Sequence, residues 1–508
     1  MAHACRAPTP RSPRPYSRRR PENTALHQVV RENYLTVLQQ AEAYGNGYPA
    51  YVRKEFERYL ACGDLTQGFS RIRCEDCKYE RLVAFSCKGR LCPSCLNRRM
   101  EQTAMHLEES VLPPAAYRQW TLTIPWQYRM RLASDKELLS RVNAIFVRAI
   151  FSVQRQCARK LGITDPKCGS VTFIHRFNTL LRLSPHLHGV VPDGVFYQDD
   201  SGAMAFAELL PPTDAEVTHI LQRCATRIER LFCDAISFDE EPDDDDAMAA
   251  TLAEAAQPLG QVALIPVVPN ARHLAAQIDG YSIHADVAVA ADDRQGLARL
   301  LRYGARPPLA ANRVSITPDG KVKYELRKVL SGRSHITLDP DAFVRRLASL
   351  IAPPWLNLTR FHGRPEIERL LKQSPSRKRA QDVSANSKHH QAVKALVPKP
   401  VSLLEQIPED LKQLGFEQTD PVPAPLPKPL RIKWGDLLRR TFADVLVCPK
   451  CEGSMRLVAT IEERDVIEKI LSHLELPTEP LPSAPARDPP QLMLNQHYNE
   501  GELDSWGN

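Results

Sequence analysis

Two C-x-x-C pairs separated by a short loop, Cys74-x2-Cys77-x14-Cys92-x2-Cys95, constrain this chain more than any other local feature. Each pair sets two thiols on a tight turn, and two such pairs can close a tetrahedral zinc site unaided. Four protein ligands leave no position for water, so the expected role is structural: Zn²⁺ held by Cys74, Cys77, Cys92 and Cys95. The rest of the cysteine usage agrees. Of 13 cysteines in 508 residues, six fall into three C-x-x-C pairs, which in a reducing compartment points to metal rather than disulfides. Cys87, inside the loop, either replaces one of the four or is a buried free thiol. Cys62, Cys157, Cys168, Cys224 and Cys233 have no partner at ligand spacing and read as core residues. Cys448-x2-Cys451 is half a site, which finds ligands elsewhere, pairs across a dimer, or binds nothing. Basic residues from Arg71 to Arg99 surround the module, a composition suited to DNA backbone.

The chain is long enough for two or three domains. Its net charge of +7 permits nucleic-acid binding without requiring it. The first twenty residues hold six arginines, no acids and no apolar segment of the secretory kind. Residues 1–25 therefore read as a disordered basic arm, and 26–112 as a zinc-binding, DNA-binding unit of helix, cysteine-rich ribbon and helix. The longest mixed strand and helix signal runs over 115–350, broken by an acidic run, 239–246, that reads as a solvated loop. A linker rich in Lys, Pro, Ser and Gln covers 374–430, a small unit 431–475, and a Pro-rich disordered tail 476–508. No run approaches the roughly 20 apolar residues that span a bilayer, so a cytoplasmic protein without membrane contact is expected.

Within 176–197 the sequence reads as two strands, and the second carries His186 and His188 around Leu187. Alternation in a strand turns both imidazoles to one side and Leu187 to the other. Upstream, the strand-like VTFIHRF (171–177) carries His175, which a hairpin would bring across from the pair as a third ligand. Three imidazoles make a divalent-metal site; the plain alternative is hydrogen-bonded histidines without metal.

Residues 291–310 read as a short helix, capped by Asp292 or Asp293 and stopped by Pro307-Pro308. Leu297, Leu300 and Leu301 form its apolar stripe. Tyr303 falls on the polar side with Arg299 and Arg306. Arginines there can hold a phosphate and favour a phenolate; alternatively the tyrosine simply snorkels at a helix end.

Taken in order, these motifs resemble a known family. SCKGRLCPSC (86–95), QWTLTIP (119–125), HRF (175–177), PHLHGVVPDGVF (185–196), the segment 281–310, LNLTRFHG (356–363) and WGDLLRRTFADVLVCPKC (434–451) are similar to the rolling-circle insertion-sequence transposases. The resemblance is to the HUH group, and within it to the single-tyrosine "common region" subgroup with an N-terminal zinc-binding domain. It implies an α+β fold: an antiparallel HUH-nuclease-like sheet flanked by helices, preceded by a zinc ribbon and followed by a linker and a small C-terminal unit. It implies that Tyr303 is the nucleophile and that His186 and His188, with His175, hold Mg²⁺ or Mn²⁺. Arg299, Arg302 and Arg306 would bind DNA, and His284 would support the active site or replace His175 as ligand. The implied substrate is single-stranded DNA at the ends of a mobile element, recognised partly as a hairpin. Cleavage would leave a 5′-phosphotyrosine, with joining to target DNA to follow. Two-tyrosine members carry a second tyrosine one turn away. Here those positions are Arg299 and Pro307, so a second strand transfer would need a homodimer partner, a water, or the free 3′-OH. Three other readings stay open: a plasmid relaxase or replication initiator of the same chemistry, a non-catalytic zinc-ribbon DNA-binding protein, and a zinc hydrolase using the histidines.

Overall fold

The computed structural model describes residues 20–44, 47–198, 204–236, a few positions between 248 and 256, 273–330, 332–363 and 446–487. Most of the expected basic arm, the acidic run, the expected linker, residues 434–445 of the 434–451 motif and the end of the tail lie outside the described residues.

The chain opens with helices α1 (Ala25–Tyr44) and α2 (Ala50–Leu60), the hairpin β1 (Phe69–Cys74) and β2 (Glu80–Ala84), and helix α3 (Pro93–His106). Strand β3 (Tyr117–Thr123) leads through the short α4 (Arg129–Ser134) into the long α5 (Lys136–Lys160). Next come β4 (Ser170–Phe177), β5 (Leu183–Pro192), the hairpin β6 (Gly194–Gln198) and β7 (Met204–Glu208), and α6 (Asp214–Ile236). After β8 (Ala275–Ile278) and β9 (Tyr281–Val289) lies α7 (Arg294–Gly304). A meander of β10 (Val314–Ile316), β11 (Val322–Leu330) and β12 (Arg333–Leu338) precedes α8 (Pro340–Leu350) and β13 (Thr359–His362). The last described elements are β14 (Met455–Ile461) and α9 (Arg464–His473).

The α+β architecture centres on a six-stranded sheet, order β13-β4-β5-β3-β9-β8, in which every pairing is antiparallel. Alternation divides its side chains cleanly between two faces. Trp120, Leu122, Ile174, Leu187, Val191 and Ile283 pack on one face against the apolar sides of α5 and α6. The opposite face carries Tyr117, Val171, Phe173 and Val190, which meet Leu297, Leu300 and Leu301 of α7. Burying each of those leucines stabilises by roughly 1.5–3 kcal/mol, and this fixes which side of α7 turns outward. Asp293 caps the helix by accepting from the Gly296 amide at 2.6 Å.

Residues 26–112 do not close a core of their own. Leu26, Val30, Val52, Phe56, Cys92 and Cys95 share one apolar cluster with Leu309, Tyr324, Phe343 and Leu347. The C-terminal unit is attached in the same way. Strand β14 adds to β1, making a three-stranded sheet of order β14-β1-β2, and Ile467 and Leu471 of α9 cover Leu65 and Phe69. The stretch after 476, expected as a disordered tail, is described as far as Arg487 and lies against α1. There the Ala484 amide donates to the Arg31 carbonyl, and the Arg487 guanidinium reaches Asn33 and Asp341. No described helix is long and apolar enough to cross a membrane.

Candidate active site and cysteine clusters

The register of β4 against β5 sets His175 directly opposite His186, and Phe173 opposite His188. Strand β5 sends His186 and His188 to the face that α7 covers, and β4 sends His175 there too. The candidate ligand nitrogens of all three lie within 4.8 Å of one another, with ring centroids 4.4 to 5.2 Å apart.

Their hydrogen bonds decide which nitrogens remain for a cation. A carbonyl only accepts, so His186 Nδ1 donates to the Ser184 carbonyl at 2.6 Å and His175 Nε2 donates to the Gly304 carbonyl at 2.7 Å. His186 Nε2 and His175 Nδ1 therefore keep their lone pairs. His188 Nδ1 lies 2.8 Å from Gln119 Nε2 and 3.1 Å from Thr121 Oγ1. Exchanging the oxygen and nitrogen of that amide, which are nearly equivalent in shape, makes both groups acceptors of Nδ1–H and leaves the lone pair on Nε2. That Nε2 atom is buried and has no hydrogen-bond partner among the described residues, a costly arrangement unless something binds it. Protonation is disfavoured throughout. Burial, then the charge of His186, lowers His175 to about 3, and burial first lowers His186 and His188 as well. Three neutral imidazoles oriented by outer partners form a donor set that fits a metal.

Tyr303 stands over this triad from the last turn of α7. Its ring centroid is 5.6 Å from that of His188 and 6.3 Å from that of His175. It is 41% exposed, whereas Tyr324, on the buried side of β11, is 4% exposed. The Arg306 guanidinium lies over the Tyr303 ring at 4.0 Å. Gly304 ties the helix to strand β4 twice over. Its carbonyl accepts from His175, and a Cβ at this position would meet the Phe173 ring at 2.4 Å.

Other expected site residues fall differently. Arg299 is exposed and pairs with Asp293 of its own helix at 3.5 Å. Arg302 turns away from the triad to Glu101 of α3 at 3.0 Å. His284, opposite Thr121 on β9, is on the triad face but one strand beyond β3, and it is not in the ligand cluster. Several contributors were not anticipated. Gln119, Thr121 and Ser184 orient the imidazoles, while Arg327 and Arg129 add positive potential at His175 and His186 respectively. Gln119 and Thr121 alternate with core residues in QWTLTIP, a pattern that could have marked them as facing the histidines.

The cysteines group differently from the single site expected. Cys92 and Cys95 join Cys62 and Cys87, while Cys74 and Cys77 join Cys448 and Cys451. In the first cluster, Sγ separations run from 3.5 to 3.7 Å. The hairpin explains the split. Cys74 and Cys77 lie at its turn, whereas Cys62 and Cys87 lie near its base, where the Gly63 amide donates to the Phe85 carbonyl. Strands of five or six residues separate the ends by roughly 17–20 Å, which no single ion bridges. Thus Cys62 is not a mere core residue and Cys87 is not a spectator. Shared hydrogen bonds, with Cys62 the largest contributor, raise the Cys87 and Cys92 thiols, while Cys95 is lowered to about 7; a bound cation would favour the thiolates of all four. Many of the module's basic side chains have internal partners. Arg71 and Arg73 pair with Glu80, and Arg90 donates to the carbonyls of Pro353, Pro354 and Leu356.

Comparison with known families gives two matches. Residues 169–369, which contain the three histidines and Tyr303, match a family model described as "Putative transposase". Residues 29–124, which contain the whole first cysteine cluster, match one described as "Transposase zinc-binding domain". Cys448 and Cys451 lie outside both. No curated protein and no solved structure matches the chain.

Proposed function

Both matches are to transposase domains, consistent with the IS91-type rolling-circle transposase family, and from that premise we propose that this transposase cleaves and rejoins single-stranded DNA through a 5′-phosphotyrosine on Tyr303. The observation that carries the reading is the convergence of one exposed phenol and three neutral imidazoles, the Tyr303 ring 5.6 Å from that of His188. A structural or merely DNA-binding role gives no account of the buried, unpartnered Nε2 of His188.

His175, His186 and His188 would hold Mg²⁺ or Mn²⁺, which when bound polarises the scissile phosphate as a Lewis acid. Nitrogen donors favour Mn²⁺, because Mg²⁺ prefers hard oxygen ligands. Tyr303 Oη attacks phosphorus, its proton passing to solvent on the exposed side. A phosphorus–phenol oxygen bond forms, the bond to the 3′-oxygen breaks, and that oxygen leaves as a hydroxyl after taking a proton. Arg306, over the ring at 4.0 Å, neutralises phosphate charge. The diester is exchanged and not hydrolysed, so a 3′-OH can reverse the step without ATP. Substrates are the ends of the mobile element, read partly as a hairpin, and then target DNA. Arg299 and Arg302, each ion-paired, bind DNA only by exchanging partners. With Arg299 and Pro307 one turn either side of Tyr303, the second strand transfer falls to a partner subunit, a water or the free 3′-OH.

Incubating a labelled single-stranded element end with the protein and Mn²⁺, then running a denaturing gel, tests the reading. A protein–DNA adduct is expected, and it should be absent in Tyr303→Phe. An undiminished adduct in that variant would falsify the assignment. A relaxase or replication initiator would pass the same test, and is told apart by DNA: its gene lies beside a plasmid origin, not between element ends.

A further inference from the structure

We propose that Cys74, Cys77, Cys448 and Cys451 bind a second Zn²⁺ that staples the C-terminal segment onto the N-terminal hairpin. Cys74 Sγ lies 3.5 Å from Cys451 Sγ, and Cys77 Sγ lies 3.5 Å from Cys448 Sγ. All four sulfurs are within 4.8 Å of one another. A disulfide needs about 2.05 Å, whereas four thiolates at about 2.3 Å from one zinc stand roughly 3.8 Å apart. The distances are those of a tetrahedral site.

The backbone on the two sides is matched as well. Each C-x-x-C turn is followed by a non-glycine residue in the left-handed region, Lys78 at φ 60° and Glu452 at φ 61°. Side chains rarely adopt that conformation, and its occurrence at equivalent places marks two equivalent metal-holding turns. The Lys450 amide donates to Cys448 Sγ at 3.4 Å, a bond that a thiolate strengthens. Zinc with four thiolates carries a net charge of −2, and the turns contribute Lys78 and Lys450 beside it. Strand β14 then runs antiparallel to β1 in continuous register from Cys74↔Met455 to Phe69↔Ile461, apart from one bulge.

This ion would act on a different scale from the first. The first cluster joins residues close in sequence, from Cys62 to Cys95. The second joins positions 371 residues apart, and so decides whether residues 446–487 stay on the N-terminal hairpin and against α1. It is also the more accessible: Cys77 and Cys451 are exposed, whereas Cys62, Cys92 and Cys95 are buried. A chelator should therefore remove the second zinc first.

Both measurements use the full-length protein carrying His186→Ala and His188→Ala, so that the histidine site takes no zinc; saturated with Zn²⁺ and freed of excess, it should give two zinc per chain. Adding Cys448→Ser with Cys451→Ser should give one. A second measurement does not depend on how that variant folds. In a version with a specific protease sequence inserted between residues 400 and 401, the cut C-terminal fragment should co-elute with the remainder in zinc. It should separate when a chelator has withdrawn the first equivalent. One zinc in the saturated protein, two in the cysteine variant, or a fragment that stays bound after that equivalent is gone would each overturn the proposal. None of these readings depends on DNA cleavage, so the staple and the transposase mechanism fail independently.

Discussion

In the proposed mechanism three imidazoles and one phenol carry the chemistry, and substitutions test it at the residue scale. Tyr303→Phe should leave folding and zinc content intact while the covalent adduct disappears. His188→Ala should remove cleavage and weaken Mn²⁺ binding, yet leave binding of a single-stranded oligonucleotide largely intact; parallel loss of both would mean the histidines only support the fold. Gln119→Ala, which removes an orienting partner of His188, should cost about 10–100-fold in metal affinity, measured by Mn²⁺ titration of cleavage. The buried histidines also predict a pH dependence of stability without metal. Their folded pKa values lie below the ordinary 6.5, His175 at about 3. As pH falls below 6.5 the unfolded chain takes up protons that the native triad refuses. Stability is thus lost from about pH 6.5 down towards 3, by at most about 1.4 kcal/mol per pH unit for each histidine. Urea melts between pH 7 and pH 5 should show a shallower loss in His175→Gln than in the parent; equal slopes would contradict burial of a neutral triad.

Among the elements, α7 is the part that must be placed most accurately, because its inner face packs on the sheet and its outer face presents Tyr303, the proposed nucleophile. Gly304 lets that helix lie directly on Phe173. Gly304→Ala would drive a methyl group into the ring, costing about 1–3 kcal/mol by overpacking and lifting both Tyr303 and the carbonyl that orients His175. Cleavage should fall by more than the melting temperature suggests, with DNA binding nearly unchanged. If activity tracks stability alone, the close approach has no role in aligning the site.

Across the whole molecule, the zinc-binding region and the catalytic region share one apolar core, with α1 and α2 packed together with α8 and β11. The first cysteine cluster lies inside that core. Cys92→Ser should therefore loosen more than the 62–95 segment: hydrogen exchange is expected to rise in α1, α2, α3 and α8 together, while the six-stranded sheet, packed on α5 and α6 in a separate cluster, stays protected. Exchange confined to 62–95 would show that the region is an independent module after all.

What could be read from one dimension is what depends on local periodicity. Alternation about Leu187 placed His186 and His188 on one face, the leucine stripe of 297–301 turned Tyr303 outward, and strand-like 171–177 brought His175 within hairpin reach. The C-x-x-C pairs announced metal for the same reason, since a tight turn is a local object. Which pairs share an ion is not local. The β1–β2 hairpin carries Cys74 and Cys77 away from Cys92 and Cys95, and pairing of β14 with β1 brings Cys448, 371 residues beyond Cys77, and Cys451 to them as the other half of the site. The outer ligands of the imidazoles were hidden likewise, because Gln119, Thr121 and the Gly304 carbonyl reach the histidines only through sheet register and helix docking. Side-chain direction follows from a few consecutive residues, but company in space is decided by the packing of the folded chain.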